Sequence, residues 1–171
     1  MLFFLFHFSI TPVAVRTCSS GWKSFEGHCY SLQTKGMSWD SAKEQCKARN
    51  ANLVSVLSED ESNFIIDSID LVIRNTTKCI WTGGKKMYDS NTWVWDDGSV
   101  YDYTNWNPGE PSNWGPENPQ CICYWRGGYR WNDRPCTSWY EFICKKWRHV
   151  LKMFSIFEKK EFNCWASIKD E

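Results

Sequence analysis

Long apolar runs, an excess of either charge, and histidine are all scarce in this chain. Each scarcity removes a class of function. The only strongly apolar stretch is Met1 to Ile10, too short to cross a bilayer. No later segment is long and apolar enough to act as a membrane anchor, so membrane insertion is not expected. Lysine plus arginine and aspartate plus glutamate number 20 each, a formal net charge of zero. A nucleic-acid partner would need a basic stripe for its phosphates, and anionic lipid would need a basic patch. Neither is expected here. The three histidines (His7, His28 and His149) are scattered and show no metal-ligand spacing. No serine or cysteine sits in a recognisable nucleophile motif with a base, which argues against an enzyme. Internal repeats, coiled-coil heptads and collagen triplets are also missing.

The residues in excess are cysteine and tryptophan, with 9 and 12 copies. Cysteine at this density fits an oxidising compartment. Residues 1–17 read as a secretory signal peptide, with Met1–Ile10 as its apolar core and cleavage near Ala14 to Thr17. The expected location is therefore secreted and extracellular. Asn75-Thr76-Thr77 is a glycosylation sequon, with Asn75 as the acceptor. Tryptophan carries large buried area but needs a partner for its indole N–H. A loop-heavy domain with an aromatic core follows, and any exposed tryptophan is a surface on which a sugar ring can stack.

Cys18 and Cys29 flank a short polar-aromatic stretch that suits a small hairpin closed by a disulfide. From Ser38 to Arg49 the periodicity is helical, with Ser38 as N-cap and Trp39, Ala42 and Cys46 on the inward face. Leu53-Val54-Ser55-Val56-Leu57 is short, apolar and β-branched, which predicts a strand. Ser58 and Glu61 form a capping box for a second helix with Phe64, Ile65 and Ile69 as its buried stripe. Strand alternation then appears at Cys79-Ile80-Trp81 and at Thr92 to Trp95, with a turn at Asp97-Gly98. Tyr101 to Gln120 is long and irregular, yet rich in aromatics. Order without regular structure needs a tie, and a metal ion is one candidate. Cys121-Ile122-Cys123-Tyr124 reads as a buried strand, Gly127-Gly128 as a turn and Phe142-Ile143-Cys144 as the last strand. Residues 148–171 form a tail of unknown structure.

Taken in order, these segments resemble the C-type lectin-like domain. The likeness is carried by Gly21-Trp22 with Cys29-Tyr30, the helix with Trp39 and Cys46, Leu53-Val54-Ser55-Val56 and Trp81-Thr82-Gly83-Gly84. It continues through Trp93-Val94-Trp95-Asp96-Asp97-Gly98, Asn105-Trp106-Asn107-Pro108-Gly109-Glu110-Pro111, Trp131-Asn132-Asp133 and Phe142-Ile143-Cys144. The resemblance covers about residues 18–147, taken as the domain. It implies an α+β fold with two helices flanking small antiparallel sheets and a long calcium-binding loop. By the same likeness Cys18 pairs with Cys29, and Cys46 with Cys144. Cys136 pairs with Cys121 or Cys123, of which Cys121 fits the family pattern better. Residues two apart in a strand face one side, so both thiols are reachable, and Cys79 can take the one left over. Cys164 is then odd, which points either to an intermolecular bridge, linking a homodimer if the residue is exposed, or to a free thiol.

The implied chemistry is a single calcium that holds two neighbouring sugar hydroxyls. Calcium takes six to eight oxygen ligands. Glu110 and Ser112 flank Pro111, which in the family follows a cis bond; Asn132 and Asp133 form the second cluster. Glu117 is the further acidic ligand, with Asn118 as its rival. Glu110 would ligate and accept, Asn132 would ligate and donate, and Asp133 would ligate through its carboxylate, with its backbone carbonyl as a further donor. Glu-Pro-Asn in the family goes with mannose-like sugars. Here the motif is Glu-Pro-Ser, and Ser112 is shorter and lacks the amide N–H. The expected ligands remain mannose, glucose, fucose or N-acetylglucosamine. Lys85 and Lys86 replace the acidic residues of an auxiliary calcium site. The rival reading is a protein-binding module of the same fold with a degraded sugar site.

Overall fold

Strand alternation in this chain separates two kinds of side chain, and the fold follows from that separation. The structure is a computed structural model and describes residues 15–70, 79–88, 90–112 and 119–151. Ten strands and two helices occur among them. They are β1 (Val15–Thr17), β2 (Lys23–Phe25), β3 (His28–Met37), α1 (Trp39–Lys47), β4 (Asn52–Leu53) and α2 (Glu59–Asp70). The chain continues with β5 (Cys79–Lys86), β6 (Trp93–Trp95), β7 (Gln120–Trp125), β8 (Arg130–Pro135), β9 (Tyr140–Trp147) and β10 (His149–Leu151). The chain divides into two compact units, one of which is Cys18–Trp147. In the other, β1 pairs antiparallel with β10. The sequence reading assigns those two strands to the leader and the tail; the structure gives them a common ladder. No helix among the described residues is long and apolar enough to cross a membrane.

Within Cys18–Trp147 the sheet runs β2-β3-β9-β5-β7-β8, with β4 on β9 and β6 on β5. Every pairing is antiparallel except β5 with β9, which is parallel at Ile80↔Glu141 and Trp81↔Phe142. The expected small antiparallel sheets are therefore joined into one mixed sheet. The β2–β3 hairpin turns on Glu26 and Gly27, both at positive φ, as a two-residue turn between twisted strands requires.

Along β5, β7 and β9, alternate residues face opposite layers. Cys79, Trp81, Cys121, Cys123, Phe142 and Cys144 join Trp39, Ala42 and Cys46 of α1. Ile80, Ile122, Tyr124 and Ile143 join Ile65 of α2 and Trp93, Trp95 and Trp131. One face is thus rich in sulfur and the other in rings and branched aliphatics. This sorting settles the cysteine question. Cys121 and Cys123 both face α1, but they look toward different neighbours. Cys123 bonds Cys79 on the β5 side, and Cys121 bonds Cys136 on the β8 side. Cys18–Cys29 and Cys46–Cys144 form as the family likeness implies.

The helices follow their sequence signals with two adjustments. Ser38 caps α1, accepting from the Ser41 N–H at 3.4 Å, and Trp39, Ala42 and Cys46 are buried. Ser58 accepts from the Glu61 N–H at 3.1 Å, which is half of the expected capping box. The other half is missing because the Glu61 carboxylate accepts from the Leu57 N–H at 2.9 Å and from the Tyr30 hydroxyl at 2.7 Å. The stripe of α2 buries Ile65 fully and Phe64 partly; the Ile69 side chain lies outside the described residues.

The predicted strand at Leu53–Leu57 shrinks to Asn52–Leu53. Leu53, Val54, Ser55 and Val56 are all buried, so no face alternates. The segment is instead threaded between two strands. Val54 donates to Ile143 of β9 and accepts from Gly83 of β5, at 2.9 and 2.8 Å. A Cβ at Gly83 would stand 2.8 Å from the Leu53 carbonyl oxygen, so only glycine allows this approach.

Candidate functional site

The candidate site lies where the long loop closes the outer edge of the sheet. Among the described residues, β8 has β7 on one side and no strand on the other. An open edge leaves backbone donors and acceptors unpaired. Residues 105–107 cover it: Trp131 donates to the Asn105 carbonyl at 2.7 Å, and Asn107 donates to the Trp131 carbonyl at 2.9 Å. Asn107-Pro108-Gly109-Glu110 then forms a turn, with the Glu110 N–H on the Asn107 carbonyl at 2.9 Å. Proline at the second position and a glycine at positive φ at the third are what a type II turn requires. The Glu110-Pro111 peptide is cis.

Rings supply the tie that holds this loop. The Trp131 ring is fully buried and meets Trp95, Tyr103, Trp106 and Tyr124 edge-on, with centroids 5.5 to 6.4 Å away. Tyr101, Tyr103 and Trp106 pack against the same core layer as Trp131. Edge-to-face pairs of this kind add about 0.5–1.5 kcal/mol each beyond area burial. The described part of the loop is thus packed onto the domain by its own aromatics.

Four of the five expected ligands come together. Asn132 donates from Nδ2 to Glu110 Oε1 at 2.8 Å. The Ser112 N–H is shared between Glu110 Oε2 at 2.8 Å and Asp133 Oδ1 at 2.9 Å. Ser112 Oγ donates to the same Asp133 oxygen at 2.9 Å. Asn132 and Asp133 are buried, whereas Glu110 and Ser112 are partly exposed. The fifth residue, Glu117, lies outside the described residues, as do Asn118 and Trp114. So do Asn75, Cys164, residues 1–14 and the tail beyond 151.

Burial, and next the neighbouring Asp133 carboxylate, push the Glu110 carboxyl above the usual range, against the pull of Ser112. Two carboxylates that share donors repel each other unless a cation stands near. The Arg134 guanidinium donates to the Asp133 backbone carbonyl at 2.8 Å. That carbonyl, expected as a further ligand, is thus already engaged.

Among the described residues, no three acidic, histidine or cysteine side chains converge to hold a metal. The donors present are two carboxylates, an amide oxygen and a hydroxyl, all hard oxygens. In kind they fit calcium or a similar hard cation. At the expected auxiliary position Lys85 and Lys43 both contact Asp96, at 3.1 and 2.9 Å, and cap the Trp39 ring. Burial alone would raise the Asp96 carboxyl, but the two lysines together bring it below its ordinary value.

Sequence reading missed Asn107. Its side-chain amide donates to Asn132 Oδ1, and its backbone holds both Trp131 and Glu110. Asn107 therefore fixes which way the Asn132 amide faces. The signal was available in Asn-Pro-Gly-Glu, a type II turn whose first residue must lie beside the last.

The comparisons agree with this architecture. Residues 35–146 match the model of the lectin C-type domain. Human C-type mannose receptor 2 is 35% identical over 129 residues, 75% of this chain but 8% of that protein. Ladderlectin of Oncorhynchus mykiss is 37% identical over 124 residues, 71% of this chain and 63% of its own length. The crystal structure of a calcium-independent type II antifreeze protein superposes with a TM-score of 0.68 at 26% identity, covering 79% of this chain and 98% of that one. This chain belongs to the C-type lectin domain family, whose members are in general binding modules.

Proposed function

We propose that the protein is a secreted calcium-dependent lectin for mannose, glucose, fucose or N-acetylglucosamine-type sugars. Glu110, Ser112, Asn132 and Asp133 would hold the cation, with Glu117 completing the set. Calcium would supply a positive centre that accepts two neighbouring sugar hydroxyls. The protein side of the contact is a paired acceptor and donor. A carboxylate oxygen of Glu110 would accept a hydrogen bond from one sugar hydroxyl, and the Asn132 amide N–H would donate one to the adjacent hydroxyl oxygen. The observation that carries this reading is the Glu110–Asn132 pair itself, 2.8 Å apart beside the Asp133 carboxylate. Kinship to a mannose receptor and to ladderlectin supports it. Residues 1–17 as signal peptide, residues 18–147 as the lectin domain and Asn75 as glycan acceptor belong to the same proposal. A single sugar site of this kind is weak, and avidity needs several on one assembly. Cys164 would supply one route, as an interchain disulfide; a monomer band on a non-reducing gel refutes that part.

The test is retention on immobilised mannose in calcium, followed by a chelator. Release by chelator is expected, and no release, or no retention on any of the four sugars, overturns the reading. Glu110→Gln with Asn132→Asp should abolish mannose retention while the domain stays folded.

A second reading is a protein-binding module that needs no calcium. It is favoured by Ser112, whose hydroxyl is spent on Asp133 and whose N–H is shared between Asp133 and Glu110, and by the likeness to a calcium-independent antifreeze protein. Unchanged thermal stability on addition of millimolar calcium would favour it.

A further inference from the structure

A second concavity lies away from the loop, between α2, the β2–β3 hairpin and β9. It has a volume of about 230 Å³. Its walls are Tyr30, Leu32, Phe64, Ile65 and Ile143, with Lys23 among the residues that line it. Tyr30, Ile65 and Ile143 are buried, while Lys23 is exposed. The Lys23 ammonium reaches the Ser68 backbone carbonyl at 3.4 Å, and so spans from the hairpin to α2. Among the described residues Lys23 has no carboxylate within ion-pair distance. The Tyr30 hydroxyl does not compete for a ligand, because it donates to Glu61.

We propose that this pocket binds a medium-chain free fatty acid, with the chain against Leu32, Phe64, Ile65 and Ile143 and the carboxylate on Lys23. Two features select that occupant. The lining is apolar apart from one end, which excludes a sugar or a peptide backbone. The polar end is a cation whose only described partner is a neutral carbonyl, so it favours an anionic head over a neutral one. An apolar cavity of about 150 Å³ accommodates benzene. The larger volume here suits a chain of roughly eight carbons. The pocket shares no residue with the candidate sugar site, so the two functions stand or fall separately.

Isothermal titration with octanoate, octanol and octylammonium tests the proposal on the full chain, with a chelator present throughout. Octanoate is expected to bind, octanol more weakly, and octylammonium weakest. From hexanoate to octanoate the affinity should rise about fourfold per added methylene, then level off once the cavity is full. Lys23→Met should lower octanoate affinity by about fivefold and leave octanol unchanged. Lys23→Glu should reverse the preference toward octylammonium. Leu32→Trp fills the cavity and should abolish binding of all three; circular dichroism and the thermal unfolding midpoint report whether that variant is folded. Absence of octanoate binding overturns the proposal. So does equal binding of all three head groups, an indifferent Lys23→Met, or retained binding in a folded Leu32→Trp variant.

Discussion

Two carboxylates in this domain face the same problem and meet it differently. Glu61 is buried at the start of α2 and lies 2.6 Å from the Lys145 ammonium, with both side chains 6% exposed. Tyr30 and the Leu57 N–H complete its shell, and Lys145 also donates to the Ser55 carbonyl at 3.1 Å. Glu110 sits beside another carboxylate instead, and its described donors are neutral. The first cluster carries its own cation, and that ion pair fixes its geometry. At the second, the described donors to Glu110 are a neutral amide and a neutral backbone N–H, and the proposed calcium would supply the positive charge. A built-in cation makes a structural cluster, whereas an exchangeable one would also bring whatever that ion can hold.

Breaking the first cluster should have the largest effect. Lys145→Ala leaves Glu61 buried and unpaired, and is expected to cost about 3–5 kcal/mol in urea unfolding. The double variant Glu61→Leu, Lys145→Met should recover most of that loss, because two apolar groups leave no orphan charge. A second group of effects belongs to the ion. If calcium fills the loop cluster, a concentration one hundred times its dissociation constant stabilises the parent by about 2.7 kcal/mol. Glu110→Gln should remove that gain, measured as the shift of the thermal midpoint with calcium. Asn107→Ala is expected to be smaller, about 1–2 kcal/mol, since it leaves the buried Asn132 oxygen without its donor. It should also weaken sugar retention more than it weakens calcium binding.

The smallest effect is a pH dependence. With calcium chelated, the raised Glu110 carboxyl binds its proton more tightly folded than unfolded. Its contribution therefore favours the fold below the ordinary carboxylate range and declines as pH rises through the raised value. Glu110→Gln should flatten that part of the stability profile in chelator. A parent profile that the substitution leaves unchanged would show that the fold does not raise the Glu110 carboxyl.

Much of this was legible beforehand, for identifiable reasons. Trp39, Ala42 and Cys46 recur at helical spacing, and Ser38 is a strong cap, so α1 needs no tertiary information. Alternation around Ile122 puts Cys121 and Cys123 on one face, but their partners depend on which strands lie beside β7, and pairing order is not local. Val54 to Val56 misled because a segment buried on every side has no period to read. The expected ligand set Glu110, Ser112, Glu117, Asn132 and Asp133 came from the family likeness, because the docking of the loop on β8 that brings four of them together is not local. The role of Asn107 was hidden because it depends on the loop zipping onto the edge of β8. The aromatic tie around Trp131 was visible as composition, but its geometry was not.

The sorting of sulfur to one face has a consequence for change over time. Cys46–Cys144, Cys79–Cys123 and Cys121–Cys136 all fasten the layer under α1. The described loop residues at the opposite face rest on rings packed edge to face, with no sulfur among them. Residues 107–112 can therefore be rewritten while the back of the domain stays riveted. A chain built this way can drift from one ligand to another without passing through an unfolded ancestor.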